Sequence, residues 1–413
     1  MVQQPRIAII GAGPAGFTLG VLLHNRGVPF TIFELRSRPT AEELSKPSGM
    51  LDLHEESGLA ALKEAGLLDQ FHAFPSECTE GQKVADKTGA ILYKDEGDEG
   101  NRPEISRHNL TKLLMDHLPA EKVNWNHKLL AATYSTQGEQ SQVDLDFGAN
   151  GRHTFDFVIG SDGCWSKVRT MLTDVKPSYE GRQCITLTIP NATTNYPHLS
   201  DLVGRGSFSA LGDCHGIMSQ RGPQDSARIY VFLSTPDEQF AATSGLATQP
   251  ATAVKGKLLS TGGIIGTWGP IMKELVVTAC EEEAANNNGN FTDIRGLYKL
   301  PIGNTWEHKT SATLIGDAAH LMPPWAGEGV NLAMWDSLLL SQAITKAYEA
   351  STSGNSAFQK ILDPLLSEFE EEMTTRVTEK AEETASNGRM LFGENGAKDF
   401  AQFFRTAFGI PPE

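Results

Sequence analysis

The chain has 413 residues, of which 51 are acidic and 35 basic, so its formal net charge is −16. That surplus disfavours a nucleic-acid or anionic-membrane binder, because phosphate binding rests on clustered Lys and Arg that release counterions. An apolar share of 39% with 8% aromatics excludes global disorder, and at ~150 residues per domain the length predicts two to three domains.

The first residues hold no apolar run ending in a small-residue cleavage site, and no stretch reaches ~18 uninterrupted apolar residues. An unprocessed, soluble, cytoplasmic protein without a membrane span is expected. The five cysteines, Cys78, Cys164, Cys184, Cys214 and Cys280, are far apart and never form a C-x-x-C pair. This fits a reducing compartment and predicts neither a disulfide framework nor a metal site.

In chain order, Arg6-Ile7-Ala8-Ile9-Ile10 reads as a buried strand and Gly11 to Gly16 as a tight turn. An Ala/Leu-rich helix follows to about Asn25, and Pro29 to Phe33 is a second strand. Unbroken apolar strands flanking a helix make a βαβ unit. Within it, Gly11 permits the turn, Gly13 lets the backbone approach a pyrophosphate, and Gly16 lets helix pack on strand. The helix N-terminus faces the phosphates, and Glu34 at the end of the second strand is placed for a ribose hydroxyl pair.

A charged loop from Arg36 to Pro47 is followed by an amphipathic helix from His54 to about Leu68, with Leu59, Leu62, Ala65 and Leu68 at helical spacing. Gln82 to Leu92 suggests a hairpin, and Ser106 can cap a helix running to about His117. Asp156 to Gly160 is another buried strand. Residues from about Gly181 to Ser234, richer in β-branched and turn-forming residues, predict a second, sheet-based domain with strands at Gln183–Ile189 and Ala227–Leu233.

After helical pieces through Ala285 and the polar loop Asn286 to Asn290, the strand Ala312 to Ile315 returns to the parallel-sheet pattern, so the first domain is discontinuous. Asp317 at that strand's end can accept hydrogen bonds from a polyol. The turn Met322 to Asn331 presents backbone N–H groups and a helix dipole to an electron-rich ring edge, and a flavin offers both partners. From Ser356 the chain is helical and charged, with Leu362, Leu365, Leu366 and Phe369 forming one apolar stripe.

The chain resembles the group A flavoprotein monooxygenases related to para-hydroxybenzoate hydroxylase over essentially its whole length. The likeness rests on Gly11 to Gly16 with Glu34, on Gly160-Ser161-Asp162-Gly163, and on Gly316-Asp317 with its downstream turn. It is most similar to the tetracycline-inactivating flavin monooxygenases, through Leu51-Asp52-Leu53-His54, Pro103 to Arg107, Ser166 to Arg169, Thr235 to Glu238 and Gly316 to Pro324. The implied fold class is α/β. A Rossmann-like FAD-binding domain is built from residues 1–70, 101–180 and 291–350, a β-sheet substrate domain from 71–100 and 181–290, and a C-terminal bridging helical segment from 356–413.

The resemblance implies that Glu34 binds the adenosine ribose, that Asp52 and Arg107 lie along the cofactor, and that Asp317 binds its ribityl or pyrophosphate region. Pro324, Gly327, Gly329, Val330 and Asn331 would meet the isoalloxazine, and Ala15, Arg36 and Asp162 complete the cofactor set with Gly11, Gly13 and Gly16. Two departures stand out. Leu35 follows Glu34 where those enzymes usually carry Arg, and Thr186 and Arg228 stand where the tetracycline enzymes place Gln and His, which disfavours tetracycline itself as the natural substrate.

No hydrolytic triad, paired-carboxylate motif or H-E-x-x-H pattern is present, so the cofactor is expected to carry the chemistry and no side chain is assigned as catalytic. The expected reaction uses FAD, NADPH as a transient co-substrate and O₂. NADPH reduces the flavin, O₂ adds at its C4a position, and the hydroperoxide gives one oxygen to an electron-rich aromatic, polyketide or tetracycline-like substrate. Lys46 is the candidate for NADPH, and Thr186, Met218, Arg228, Tyr230 and Trp325 are those for the substrate. The partner is a small molecule, and without a heptad seam the chain is expected to be a monomer. The alternatives are a flavin-dependent epoxidase or halogenase, although Trp268-Gly269-Pro270 does not match the halogenase W-x-W-x-I-P pattern, and a non-catalytic binding module on the same fold.

Overall fold

The apolar tetrapeptide Ile7–Ile10, buried at every position, is the centre of a five-stranded sheet. Its order is Ala312–Leu314, Phe157–Gly160, Ile7–Ile10, Thr31–Phe33 and Val123–Asn124, with every neighbouring pair parallel. These are the relations of a computed structural model that describes residues 4–75, 78–97, 103–137, 140–260, 262–286, 291–353 and 357–410. Parallel strands must be covered on both faces. The helices Pro14–Asn25 and Gly329–Ser353 provide part of that cover, and Phe17, Leu19, Leu23, Leu340 and Ile344 join the strand residues in one core.

A second, seven-stranded sheet has the order Asp293–Lys299, Ser178–Ile189, Ser226–Ser234, His215–Gly222, Ser207–Gly212, Gln82–Asp86 and Ile91–Asp95. Side chains alternate along each strand. Ile185, Leu187, Ile189, Ile229, Val231 and Leu233 therefore share one face, where the helices Ala251–Leu259 and Pro270–Asn286 bury Val254, Leu258, Met272 and Val276 against them. The other face presents Thr186, Arg228, Tyr230 and Phe232 toward the first unit.

Two details differ from the sequence-based expectation, and a third lies beyond test. The strand Asp293–Lys299, grouped by sequence with the nucleotide-binding part, pairs antiparallel with Ser178–Ile189 and so extends the second sheet. The helix expected from His54 to Leu68 is two helices, Gly58–Glu64 and Leu68–His72, because Gly66 takes a φ of +73° and turns the chain between them. The polar loop at Asn286 to Asn290 lies outside the described residues except for Asn286, which ends its helix.

The helix Phe358–Leu391, 34 residues long, extends about 50 Å at ~1.5 Å per residue. Leu362, Leu366, Phe369, Met373 and Val377 pack into the first core. At its far end Leu391, with Phe392, joins a cluster containing Cys184, Leu211, Phe232 and Trp325 of the second unit and its junction. Among the described residues, no helix is long and apolar enough to cross a membrane.

Candidate functional site

Each glycine of the first turn has a separate task. Gly11 has a φ of +106°, and a Cβ there would collide with the Ser161 carbonyl. A Cβ on Gly16 would collide with the Gly11 carbonyl oxygen, whereas one on Gly13, the N-cap of Pro14–Asn25, would meet nothing within 4 Å. Two glycines are thus fixed by backbone contact. The third borders open space at a helix N-terminus, where negative charge is favoured. The Ser161 hydroxyl, 2.9 Å from the carbonyl oxygens of both Ile10 and Gly11, ties this turn to the strand Phe157–Gly160.

Glu34 closes the second strand with a carboxylate that is only 2% exposed. It accepts hydrogen bonds from the Ala12 N–H at 2.8 Å, the Arg36 N–H at 3.0 Å and Arg36 Nε at 2.7 Å. Arg36 therefore folds back on Glu34 and helps fix its rotamer. Ala15 is buried, where it packs beneath Gly316 and gives its carbonyl to the Ser337 hydroxyl. Asp162 accepts from the Lys167 N–H at 2.7 Å, while its Oδ1 is buried without a partner and burial pushes its carboxyl up.

The short strands Met50–Asp52 and Glu104–Ser106 pair antiparallel. Ser106 caps the next helix, its Oγ accepting from the Asn109 N–H at 3.1 Å, and this places Arg107 at the helix start. The Arg107 N–H donates to the Gly49 carbonyl at 2.9 Å. A Cβ on Gly49 would lie 2.5 Å from the Tyr230 hydroxyl, so Gly49 allows Tyr230 of the second sheet to approach Arg107 of the first unit.

Arg107 and Asp317 are both exposed to solvent, yet each lies close enough to feel the other's charge. Burial lowers the Arg107 guanidinium, with Tyr230 and Asp317 opposing and Arg295 and Arg228 reinforcing the shift. Burial raises the Asp317 carboxyl, with His320 and Arg107 pulling it back. Neither side chain has a hydrogen-bond partner among the described residues. A neighbouring cation and anion, exposed and with side chains bonded to nothing among the described residues, form a donor and acceptor set for a ligand with phosphate and hydroxyl groups.

Asp317 is held there by its neighbours. Gly316, at a φ of +60°, turns the chain and donates its N–H to Asp336 Oδ2 at 2.9 Å. Asp336, fully buried, also meets His320 Nε2 at 2.6 Å and Arg376 Nη1 at 3.2 Å.

The side chain of Asn331, a residue whose turn is expected to present its backbone to a ring edge, clamps the chain. Its Oδ1 accepts from the His54 N–H at 2.9 Å and the Ser57 hydroxyl at 3.3 Å, and its Nδ2 donates to the Asp52 carbonyl at 2.9 Å. The side chain is fully buried and spent on these bonds. Asp52 is held beside His54 Nε2 at 3.1 Å, and a Cβ on Gly327 would lie 3.5 Å from its Oδ1. Gly329 borders open space, Val330 is half-buried, and Pro324 is exposed at the turn.

The remaining candidates divide. Thr186, Tyr230 and Met218 are register partners on three adjacent strands. Arg228 donates to the Thr188 hydroxyl and keeps a buried, partnerless Nε. Trp325, expected to face the substrate, packs against Phe232 and Phe392 at centroid distances of 4.9 and 4.8 Å and also borders a cavity of about 570 Å³. Lys46 is exposed beside Glu42 at 3.9 Å, and its carbonyl meets His108 Nδ1, next to Arg107 in the chain, at 2.9 Å. Among the described residues, no three His, Cys, Asp or Glu gather as a metal site requires.

Gly49, Glu104, Arg295, Asp336 and Arg376 were not foreseen. Glu104 pairs in register with Asp52. Burial lifts its carboxyl to about 7, partly offset by a hydrogen bond with Cys78 and reinforced by Asp52 and Glu80. The folded chain thus holds this proton more tightly than the unfolded chain, and stability falls as pH rises from about 4.5 to about 7. Glu104→Gln is expected to stabilise the protein by ~2–3 kcal/mol at pH 8 and hardly at all at pH 4.5. Urea unfolding at both pH values checks this, and equal effects at the two would refute it.

A family profile described as FAD binding domain matches residues 5–250 and 307–372. Monooxygenase penA of Penicillium thymicola is 35% identical over 422 residues, covering 95% of this chain and 96% of that protein. Monooxygenase asqM of Emericella nidulans is 31% identical over 439 residues, covering 96% and 97%. Among solved structures, HpxO of Klebsiella pneumoniae complexed with FAD and uric acid aligns with a TM-score of 0.73 at 16% identity, over 98% of this chain and 94% of that one. Tetracycline destructase Tet(55) aligns with a TM-score of 0.61 at 16% identity, over 96% and 97%.

Proposed function

The chain belongs to the FAD binding domain family and is an FAD-dependent monooxygenase of the group A type; from that premise we propose that it uses NADPH and O₂ to hydroxylate an electron-rich aromatic or polyketide-like small molecule. The observation that carries the placement of the site is the pair Arg107 and Asp317, each within reach of the other's charge and neither side chain hydrogen-bonded among the described residues.

The residues fit FAD. Glu34 would hold the adenosine ribose, and the open N-terminus at Gly13 would face the pyrophosphate. Arg107 and Asp317 would grip the phosphate and ribityl portions, and the backbone from Gly327 to Val330 would meet the ring. When bound, FAD supplies hydride acceptance and oxygen activation. The chain itself orients, excludes water and sets the local field. Neither of the two histidines nearest this reading, His320 and His215, is free to act as a base. His320 is engaged by Asp336, and His215 accepts from the Ser234 N–H at 3.0 Å while burial lowers its pKa.

The test begins with the visible spectrum of the purified protein, in which flavin bands near ~450 and ~375 nm are expected. NADPH oxidation across phenols, anthraquinones and tetracyclines should then give a product heavier by one oxygen. A colourless protein that takes up no added FAD overturns the reading. Asp317→Ala is expected to weaken FAD binding by ~100-fold or more. Without ligand its unfolding midpoint should be unchanged or slightly higher, because the removed carboxylate has no partner to lose. Normal FAD retention in this variant would refute the site assignment.

A further inference from the structure

One imidazole behind the turn at Gly327 is enclosed by acids. His54 is buried, and its backbone N–H donates to Asn331 Oδ1 at 2.9 Å. Its Nε2 lies 3.1 Å from Asp52 Oδ2. Its Nδ1 makes no hydrogen bond among the described residues and lies 3.6 Å from Glu328 Oε2 and 3.9 Å from Glu56 Oε1. Glu328, itself buried, is paired through its Oε1 with Lys380 Nζ at 2.6 Å, and Lys380 also lies 3.5 Å from Glu383 Oε2. Glu104, in register with Asp52, adds a further acid next to it.

An ionised carboxylate only accepts hydrogen bonds, so Asp52 fixes the hydrogen of the uncharged ring on Nε2. The lone pair then sits on Nδ1 and points toward two more carboxylates. Those acids repel the lone pair and would pair with a proton placed there, whereas burial opposes the positive ring that results. Lys380 draws off part of the charge of Glu328, so the opposing tendencies are close and a further negative charge nearby decides between them. The cluster reaches both the crevice and bulk water. The Asp52 side chain is 34% exposed, and a Cβ on Gly327, in the turn assigned to the ring, would lie 3.5 Å from its Oδ1. Glu56, 64% exposed, gives solvent protons a way to Nδ1.

We infer that His54, acting through Asp52, offsets negative charge in the crevice: when a bound flavin is reduced, Nδ1 takes one proton from water on its Glu56 side, and the ring becomes an imidazolium between Asp52 and Glu328. The electrons come from the reductant and the proton from solvent, and reoxidation returns that proton by the same route. No bond to the flavin is made, so His54 is a positioning residue for charge. The inference rests on the reading that the crevice holds FAD.

The test counts protons rather than turnover. Flavin-loaded protein is reduced at an electrode through a viologen mediator, in unbuffered solution at pH 8 with an indicator dye. The electrode supplies electrons only, so every proton taken up leaves the solution. The parent is expected to take up about one proton more per flavin than His54→Gln, whose amide still donates to Asp52 but cannot be protonated. Glu328→Gln, which removes a carboxylate facing Nδ1, should lower the count by at least half a proton and makes the test if His54→Gln does not fold. Glu104→Gln should keep the parent's count. Nitrogen NMR of histidine-labelled parent should show one ring become doubly protonated on reduction, and His54→Gln should lack that change. Equal counts in flavin-loaded parent and His54→Gln, or a loss confined to Glu104→Gln, overturns the inference alone. A parent that binds no flavin would sink the FAD reading and this inference with it.

Discussion

Gly13→Val is expected to fold like the parent and to lose its flavin, whereas Gly16→Ala is expected to lose the native state. The two positions are three residues apart in one turn, and only the space around them differs. Gly13 has a φ of −79°, which any residue can adopt, and its missing side chain would touch no protein atom. A valine there costs the fold little but occupies the room that a pyrophosphate needs. The missing Cβ of Gly16 points at the Gly11 carbonyl, and that backbone cannot yield because Gly11 donates its own N–H to the Phe33 carbonyl at 2.8 Å. Overpacking against fixed backbone should cost more than ~3 kcal/mol, a large part of a typical domain's stability. Urea unfolding and flavin content after desalting measure both effects. A Gly13→Val protein that keeps its flavin, or a Gly16→Ala protein of normal stability, would show that the turn does not work this way.

Asp336→Ala should destabilise the protein by ~3–5 kcal/mol, because it strands His320, Arg376 and the Gly316 N–H around a hole where a buried carboxylate joined them. Burial alone would raise this carboxyl, but the charge and hydrogen bond of His320, the charge of Arg376 and the Gly316 N–H outweigh it, and the net shift is downward. A folded pKa below the unfolded one contributes stability that is present above the ordinary value of 3.8 and is lost as pH falls through the folded value. The parent should therefore shed this contribution in acid, while Asp336→Asn should show a flatter stability profile below about pH 4. The loss should also reach the site, since the same bond holds the turn that presents Asp317. Thermal unfolding between pH 3 and pH 7 and flavin content at neutral pH are the measurements. An Asp336→Asn profile parallel to that of the parent would refute the account.

Much of the fold could be read in the sequence because its signals are local. The buried strand Ile7–Ile10, the glycine turn and the cap at Ser106 each follow from a few adjacent residues. The strand Asp293–Lys299 was not read as a strand, and its range fell with the first unit because it lies just before the parallel strand Ala312–Leu314, whereas hydropathy carries no information about its partner in the second sheet. Asn331 illustrates a second limit. Its position in the turn was legible, but its side chain points inward because the loop from Asp52 to Ser57, far away in sequence, offers two donors and an acceptor. Asp336 was missed for a related reason. An acidic residue on a mostly apolar helix reads as a solvated position until the arginine of another helix and the N–H of a distant glycine are seen around it.

The helix Phe358–Leu391 has a mechanical consequence. Because its first half belongs to one core and its end to the other, it works as a splint across the two units. The two units therefore bear load together, since displacing either one would have to break the contacts that this single rod makes with it.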